Sequence, residues 1–266
     1  PGTRSSLQKE RAEGRDVRVV YSSSDALELA RKNPDRKVVF LGVGFETTAP
    51  TIAASLLMAR DKGLQNYFVF SAHKLVPPAL KALLDAGDLG IDGLILPGHV
   101  SVIIGTKAYE SLVERYRMPC AVAGFEPVDI LRAILGLVEQ VEGGRAELRN
   151  CYPRAVTPDG NPKAREVMDR IFERVDAGWR GLGNIPGSGL RIREEFSALD
   201  AEKVFPVSLP EAQEPPGCAC GDILTGKKLP PQCPLYRKVC TPVDPVGPCM
   251  VSSEGTCAAY YRYHSL

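Results

Sequence analysis

Along residues 17–145, short apolar runs alternate with stretches whose apolar positions recur every three or four residues. Runs 17–21, 37–42, 67–71, 93–96 and 119–123 predict buried strands, and 25–32, 49–61, 78–86, 107–116 and 129–140 predict helices. Leu27, Leu29 and Ala30 fall on one helical face, as do Leu80, Leu83 and Leu84. Strands alternating with helices of this length predict an α/β fold, a parallel, Rossmann-like sheet with helices on both faces. Ligands of such sheets bind beyond the carboxyl ends of the strands. Three loops with unusual residues follow predicted strands there: 42–48 (GVGFETT), 97–101 (PGHVS) and 124–127 (GFEP). Read as loops of one sheet edge, they converge on one cleft.

Residues 143–205 change character. Gly143 and Gly144 break the alternation, 161–176 predicts a helix, and 179–190 (WRGLGNIPGSGL) predicts a long Gly-rich loop. From about residue 206 the chain is rich in Pro, Gly and Cys, with little periodicity; such a segment buries few apolar side chains and needs a staple. The expected organisation is an α/β domain over 14–147, a connecting segment over 148–205 that completes a truncated first α/β domain, and a C-terminal Cys-rich module over 206–266. The opening residues, Pro1 to Ser6, carry no initiator Met and read as a chain missing its start.

Composition narrows the class. The chain is 44% hydrophobic and 24% charged, with a net charge of +1, so no strong field draws it to nucleic acid or to a membrane surface. No apolar run approaches the ~18 residues of a membrane span, and no signal peptide is evident. A cytoplasmic protein is expected.

The cysteines carry the chemistry. Cys120 and Cys151 stand alone, and Cys218, Cys220, Cys233, Cys240, Cys249 and Cys257 crowd into the C-terminal segment. A secreted disulfide framework suits smaller chains in oxidising compartments. Structural zinc usually takes paired hooks with two to four residues between ligands, and no C-x-x-C occurs here. Iron–sulfur clusters take four thiolates at widely varying spacings, and Cys233-Pro234 has the Cys-Pro form of some ferredoxin runs. Iron–sulfur is favoured, with zinc the alternative. Spacing alone does not say which four of the six are ligands.

The motifs then point to a family. Residues 44–50 (GFETTAP), 97–105 (PGHVSVIIG), 119–131 (PCAVAGFEPVDIL), 179–190 and the tail from Cys233 to Tyr261 together resemble HypD, the [NiFe]-hydrogenase maturation family, along essentially the whole chain. The family's cluster motif, C-x14-C-x6-C-x16-C, is met by Cys218, Cys233, Cys240 and Cys257. The resemblance therefore implies a [4Fe–4S] cluster on these four, and a redox thiol pair formed by Cys220 and Cys249. It implies a scaffold on which the Fe(CN)2CO unit is assembled with a HypC-like small chaperone and a HypE-like cyanide donor. Mononuclear iron would be carried transiently at the assembly site, and the cluster and thiols would supply electrons. The family's N-terminal cysteines, one an iron ligand and two in a GPGCPVC-type motif, have no counterpart in these residues. A redox-active scaffold is expected rather than a turnover enzyme.

Other candidates divide between structural and functional roles. Glu46 and Glu126 either complement a helix N-terminus or line the cleft; Thr47 and Thr48 either cap the following helix or join them. His99 and Ser101 sit in the PGHVS loop, where His99 is as readily structural as functional. His73, Trp179, Cys120 and Cys151 read as structural, His264 as a solvated tail residue, and Glu254 as a turn residue or a thiol tuner. The turn from Gly42 to Thr47 lacks the third Gly of G-x-G-x-x-G, so it supports only weakly the rival reading of a dinucleotide-dependent iron–sulfur oxidoreductase. The second rival is a zinc-binding adaptor.

Overall fold

The computed structural model describes residues 5–207 and 215–264. Residues 1–4, which belong to the reading of a missing start, and 208–214 and 265–266, which belong to the expected C-terminal module, lie outside the described residues.

Two short helices open the chain, α1 (Leu7–Ala12) and α2 (Ser23–Lys32). Each starts at a serine whose hydroxyl accepts an otherwise orphaned backbone N–H: Ser6 from Lys9, and Ser22 from Asp25. Asp25 returns the bond to the Ser22 N–H, closing a capping box. β1 (Val38–Gly44), α3 (Ala49–Asp61) and β2 (Tyr67–His73) follow, and β1 and β2 pair in parallel from Val38↔Tyr67 to Gly44↔His73. α4 (Val76–Asp85) leads into a second sheet of β3 (Leu94–Pro97), β4 (Cys120–Ala123) and β5 (Leu148–Asn150), parallel and in that order. Between β3 and β4 lie α5 (Gly98–Ile104) and α6 (Glu110–Glu114), and between β4 and β5 lies α7 (Pro127–Glu142).

The β4 side chains alternate between two cores, as the period of two requires. Cys120 and Val122 pack with Leu84, Leu96, Tyr109 and Leu112, while Ala121 and Ala123 pack with Ala133 of α7. This sheet therefore has helices on both faces. The chain then returns to the first unit. α8 (Pro162–Ile171), β6 (Phe172–Trp179) and β7 (Gly183–Ile192) bring Ile171, Phe172, Leu190 and Ile192 into one core with Leu27, Leu56, Tyr67 and Val69. α9 (Ala201–Val204) closes that part. The C-terminal part holds α10 (Cys220–Leu224), α11 (Pro248–Val251) and α12 (Thr256–Tyr263) around a core of cysteines, Ile223, Tyr236 and Met250.

The α/β class is as the pattern predicts, with five differences. The predicted strand at 17–21 forms no ladder among the described residues; its backbone runs without regular structure between α1 and α2. The predicted helix at 107–116 divides into a 3-10 turn, Thr106–Tyr109, and α6. The predicted helix at 161–176 stops at Ile171, where the chain turns extended and starts β6. The stretch 179–190 is not a loop: most of it is β7, antiparallel to β6, with a register shift between Val175 and Ala177. Its glycines permit turns and close approach, since a Cβ on Gly189 would stand 2.7 Å from Ala177 Cβ. The strands also form two parallel sheets rather than one, so the loop after β1 comes from a different sheet edge than the start of α5 and the loop after β4.

Candidate functional site

The six cysteines of residues 218–257 fold into one hydrophobic cluster. Cys220, Cys233, Cys240, Cys249 and Cys257 are buried and Cys218 is half-buried. Short elements bring them there. Cys220 opens α10, Cys249 and Cys257 lie in the first turns of α11 and α12, and Cys233 and Cys240 flank a tight turn closed by Cys240 N–H to Leu235 O (3.0 Å). Glycines allow the approach: a Cβ on Gly247 would stand 2.6 Å from Cys218 Sγ, and one on Gly255 2.3 Å from Cys249 O. Cys249 Sγ donates to Cys257 Sγ at 3.1 Å and also hydrogen-bonds the Cys220 thiol. Val246 N–H donates to Cys240 Sγ at 3.3 Å.

Burial raises the Cys218 thiol; a backbone bond from Cys220 opposes this, and the neighbouring thiols of Cys220, Cys233 and Cys240 add to the rise. At Cys249 the bond from Cys220 lowers the pKa, but the Cys257 contact and burial outweigh it and push it up to about 12. Crowded buried thiols resist ionising together, and a cation among them removes that penalty. Among the described residues no three His, Cys, Asp or Glu side chains converge as the ligands of one ion would. An all-sulfur donor set, buried but for the half-buried Cys218, suits an iron–sulfur cluster, as it would a four-cysteine zinc site.

The β6–β7 hairpin links this cluster to the loop after β1. At its turn, a Cβ on Gly181 would lie 3.5 Å from Cys220 Sγ, and Arg180 donates to Val246 O at 3.1 Å. Beside the turn, at the end of β6, the half-buried Trp179 ring lies 6.1 Å from that of Phe45, and its Nε1–H donates to Ser188 Oγ at 2.8 Å. Leu75 N–H donates to Ser188 O at 2.8 Å, so the same hairpin holds the link from β2 to α4.

Glu46 sits beside that link. It is 2% exposed, its Oε1 accepts the Val76 N–H at the start of α4 (2.9 Å), and its Oε2 has no partner. Burial pushes this carboxyl up to about 7, against the pull of its backbone hydrogen bonds and of Arg174. His73, at the end of β2, shares a 2.9 Å contact with Ser71 Oγ and leaves Nε2 unpartnered; burial pushes the imidazole down to about 4. Thr47 is half-buried. Thr48 stands at the N-cap of α3 without capping it, its hydroxyl donating to Phe45 O instead (3.2 Å).

The stretch 97–101, read as a loop, is the end of β3 and the first turn of α5, and it meets the loop after β4. His99 stacks on Phe125 with ring centroids 4.0 Å apart, and both are exposed. Glu126, also exposed, lies 3.6 Å from Arg154. Ser101 turns inward; its hydroxyl donates to Pro97 O at 2.8 Å and lies 3.3 Å from the Tyr109 hydroxyl. Tyr109 and Ser101 thus form a buried pair, and His99, Phe125 and Glu126 an exposed group. Sequence reasoning missed Asp129 and Arg154. Their bidentate pair (2.8 and 2.5 Å) holds the Asp129 carboxyl below its ordinary range, and Asp129 packs so closely on Gly124 that a Cβ there would stand 2.1 Å from Oδ2. Cys120 is buried in β4, as expected, and burial pushes it up to about 12. Cys151 is half-buried just beyond β5; His264 and Glu254 are exposed.

Comparison with known proteins gives one answer. Residues 1–264 match the HypD family, described as "Hydrogenase formation hypA family". The chain is 49% identical over 271 residues to a hydrogenase maturation factor HypD of Rhizobium leguminosarum bv. viciae, covering 99% of this chain and 70% of that protein. It is 49% identical over 266 residues to the HypD of Azotobacter vinelandii (98% and 70%), and 45% identical over 268 residues to a putative hydrogenase expression/formation protein of Methanocaldococcus jannaschii (100% and 74%).

Proposed function

Because this chain belongs to the HypD family, we propose that it serves hydrogenase maturation as a scaffold for the Fe(CN)2CO unit, working with a HypC-like chaperone and a HypE-like cyanide donor. The observation that carries the redox part of this reading is the thiol contact at Cys249, which touches Cys220 on one side and Cys257 on the other. In this reading Cys218, Cys233, Cys240 and Cys257 hold a [4Fe–4S] cluster, and Cys220 and Cys249 remain as the dithiol. The cluster, when bound, supplies low-potential electrons.

The dithiol answers a chemical need. Releasing cyanide from a thiocyanate on the donor protein breaks an S–C bond and consumes two electrons, leaving a thiol and a cyanide ion. Oxidation of two cysteine thiols to a disulfide yields two electrons and two protons; one proton goes to the departing sulfur and the other to solvent. Cyanide then passes to the iron being assembled, which is cargo. The turn end of the hairpin, which meets Cys220 through Gly181 and Phe45 through Trp179, stands between the thiols and the Glu46 loop. The exposed His99–Phe125 stack offers partners an aromatic contact.

Cys220→Ser and Cys249→Ser variants test the assignment. Each is expected to keep the brown absorbance of a reconstituted cluster and to lose hydrogenase maturation in cells that depend on this protein. Normal maturation with either variant would remove the dithiol from the reading.

A further inference from the structure

Three segments meet side by side beyond the carboxyl ends of the second sheet. Pro97 pairs with Ala123 and Val122 with Asn150, so Gly98, Gly124 and the residues after Asn150 leave the sheet as neighbours. His99 follows the first glycine and Phe125 the second. The half-buried ring of Tyr152 spans both glycines. A Cβ on Gly98 would lie 3.0 Å from its Cδ1, and one on Gly124 2.8 Å from its Cδ2. The two edges of one ring therefore rest on the backbone just before each of the stacked side chains, His99 and Phe125, and glycine allows that approach.

Tyr152 is itself held at its backbone and at its ring. Its N–H donates to Asn150 Oδ1 (3.0 Å), the Cys151 N–H donates to Val122 O (2.9 Å), and the Asn150 amide donates to Val156 O (2.9 Å). The Arg154 guanidinium lies over the ring, 4.5 Å from its centroid. Arg154 is oriented in turn by its two bonds to Asp129, at 2.8 and 2.5 Å. Asp129 is 2% exposed in the first turn of α7, and its carboxylate also accepts the Glu126 N–H. Its Oδ2 occupies the place that a Gly124 side chain would take. Burying a carboxylate removes hydration that pairing largely offsets, so such a pair adds little stability; a bidentate one fixes geometry.

We infer that Tyr152, braced by Arg154 and Asp129, is the positioning residue of the exposed His99–Phe125 face. The ring sets the separation of the two turns, and the ion pair sets the ring. The face is thereby preformed: a partner meets an aromatic pair already in place and does not have to order it on binding. Use of the face by a partner rests on the reading given above; the positioning does not, and neither depends on the cysteine chemistry.

The test is nuclear magnetic resonance of the whole 266-residue chain with isotope-labelled histidine rings. The chain has 3 histidines, and His73, buried at the end of β2, reports on the fold. In Tyr152→Ala and in Arg154→Ala, the His99 ring signals should lose the ring-current shift of the Phe125 stack while those of His73 stay in place. Tyr152→Phe keeps the ring and should leave His99 as in the wild type. Affinity for a HypC-like chaperone, measured by calorimetry, should fall about tenfold in the two alanine variants and in Phe125→Ala. His99 signals that stay in place in Tyr152→Ala overturn the inference, and so do signals that move as far in Tyr152→Phe as in Tyr152→Ala. Where Tyr152→Ala also shifts His73, Arg154→Ala decides by the same His99 signals. If Phe125→Ala binds the chaperone at full strength, the partner reading fails, and the His99 signals still decide the positioning.

Discussion

Two buried ionisable side chains pull the pH dependence of the first α/β unit in opposite directions. Glu46 binds its proton more tightly when folded, at about 7 against 4.5 in the open chain, so its contribution is full below 4.5 and is lost as pH rises through about 7. His73 is depressed from 6.5 to about 4, so its contribution is full above 6.5 and is lost as pH falls through about 4. Between 4.5 and 6.5 the slopes oppose, and the wild-type chain hides both. Glu46→Gln separates them, being neutral at every pH and keeping an oxygen for the Val76 N–H. Relative to wild type it should gain on the order of 2 kcal/mol between pH 5 and pH 8. Denaturant titrations at the two pH values read this directly. A difference that stays constant would mean the carboxyl does not titrate as a buried group.

At the scale of elements, the β6–β7 hairpin is the piece on which the site depends and the one the pattern conceals. Trp179→Phe removes the Nε1–H bond and leaves the Ser188 hydroxyl, which is fully buried, without a donor. It should cost about 1 kcal/mol, seen in the denaturant midpoint. An unchanged midpoint would mean that bond contributes nothing net. The hairpin reads as a loop in the sequence for a physical reason. Gly183, Pro186, Gly187 and Gly189 are turn formers in isolation, and only pairing with β6 and packing of Leu190 and Ile192 into the first core make them strand. The residues at 17–21 fail in the opposite sense, carrying strand composition without a neighbour to pair with. The cysteine cluster was legible as a group because six thiols crowd one segment, although spacing could not choose the ligands. Asp129 and Arg154 were illegible: they are 25 residues apart, and nothing local marks their pairing.

At the scale of the molecule, the C-terminal part has a core built largely of cysteine sulfur, with Ile223, Tyr236, Met250 and Ala258. It touches the rest through few ties. Gly90 N–H donates to Thr225 O at 3.0 Å, Lys227 pairs with Asp88 at 2.7 Å, and the hairpin turn meets α10. On the proposed reading, a part of this size with so few large apolar side chains draws stability from a bound cluster. Once iron is chelated away, limited proteolysis should cut within 215–264 while the two α/β units resist. Equal resistance of the C-terminal part with and without iron would show that its own packing suffices. Among the described residues no helix is long and apolar enough to cross a membrane.

The most direct measurement is iron and acid-labile sulfide per chain after anaerobic reconstitution of the wild-type protein and of single alanine variants at Cys218, Cys233, Cys240 and Cys257, with Cys220→Ala for comparison. The account predicts about four irons and four sulfides in the wild type and in Cys220→Ala, and loss of both in each of the other four. A Cys218→Ala protein that keeps the full complement, or a wild-type protein that takes up one zinc and no sulfide, would contradict it.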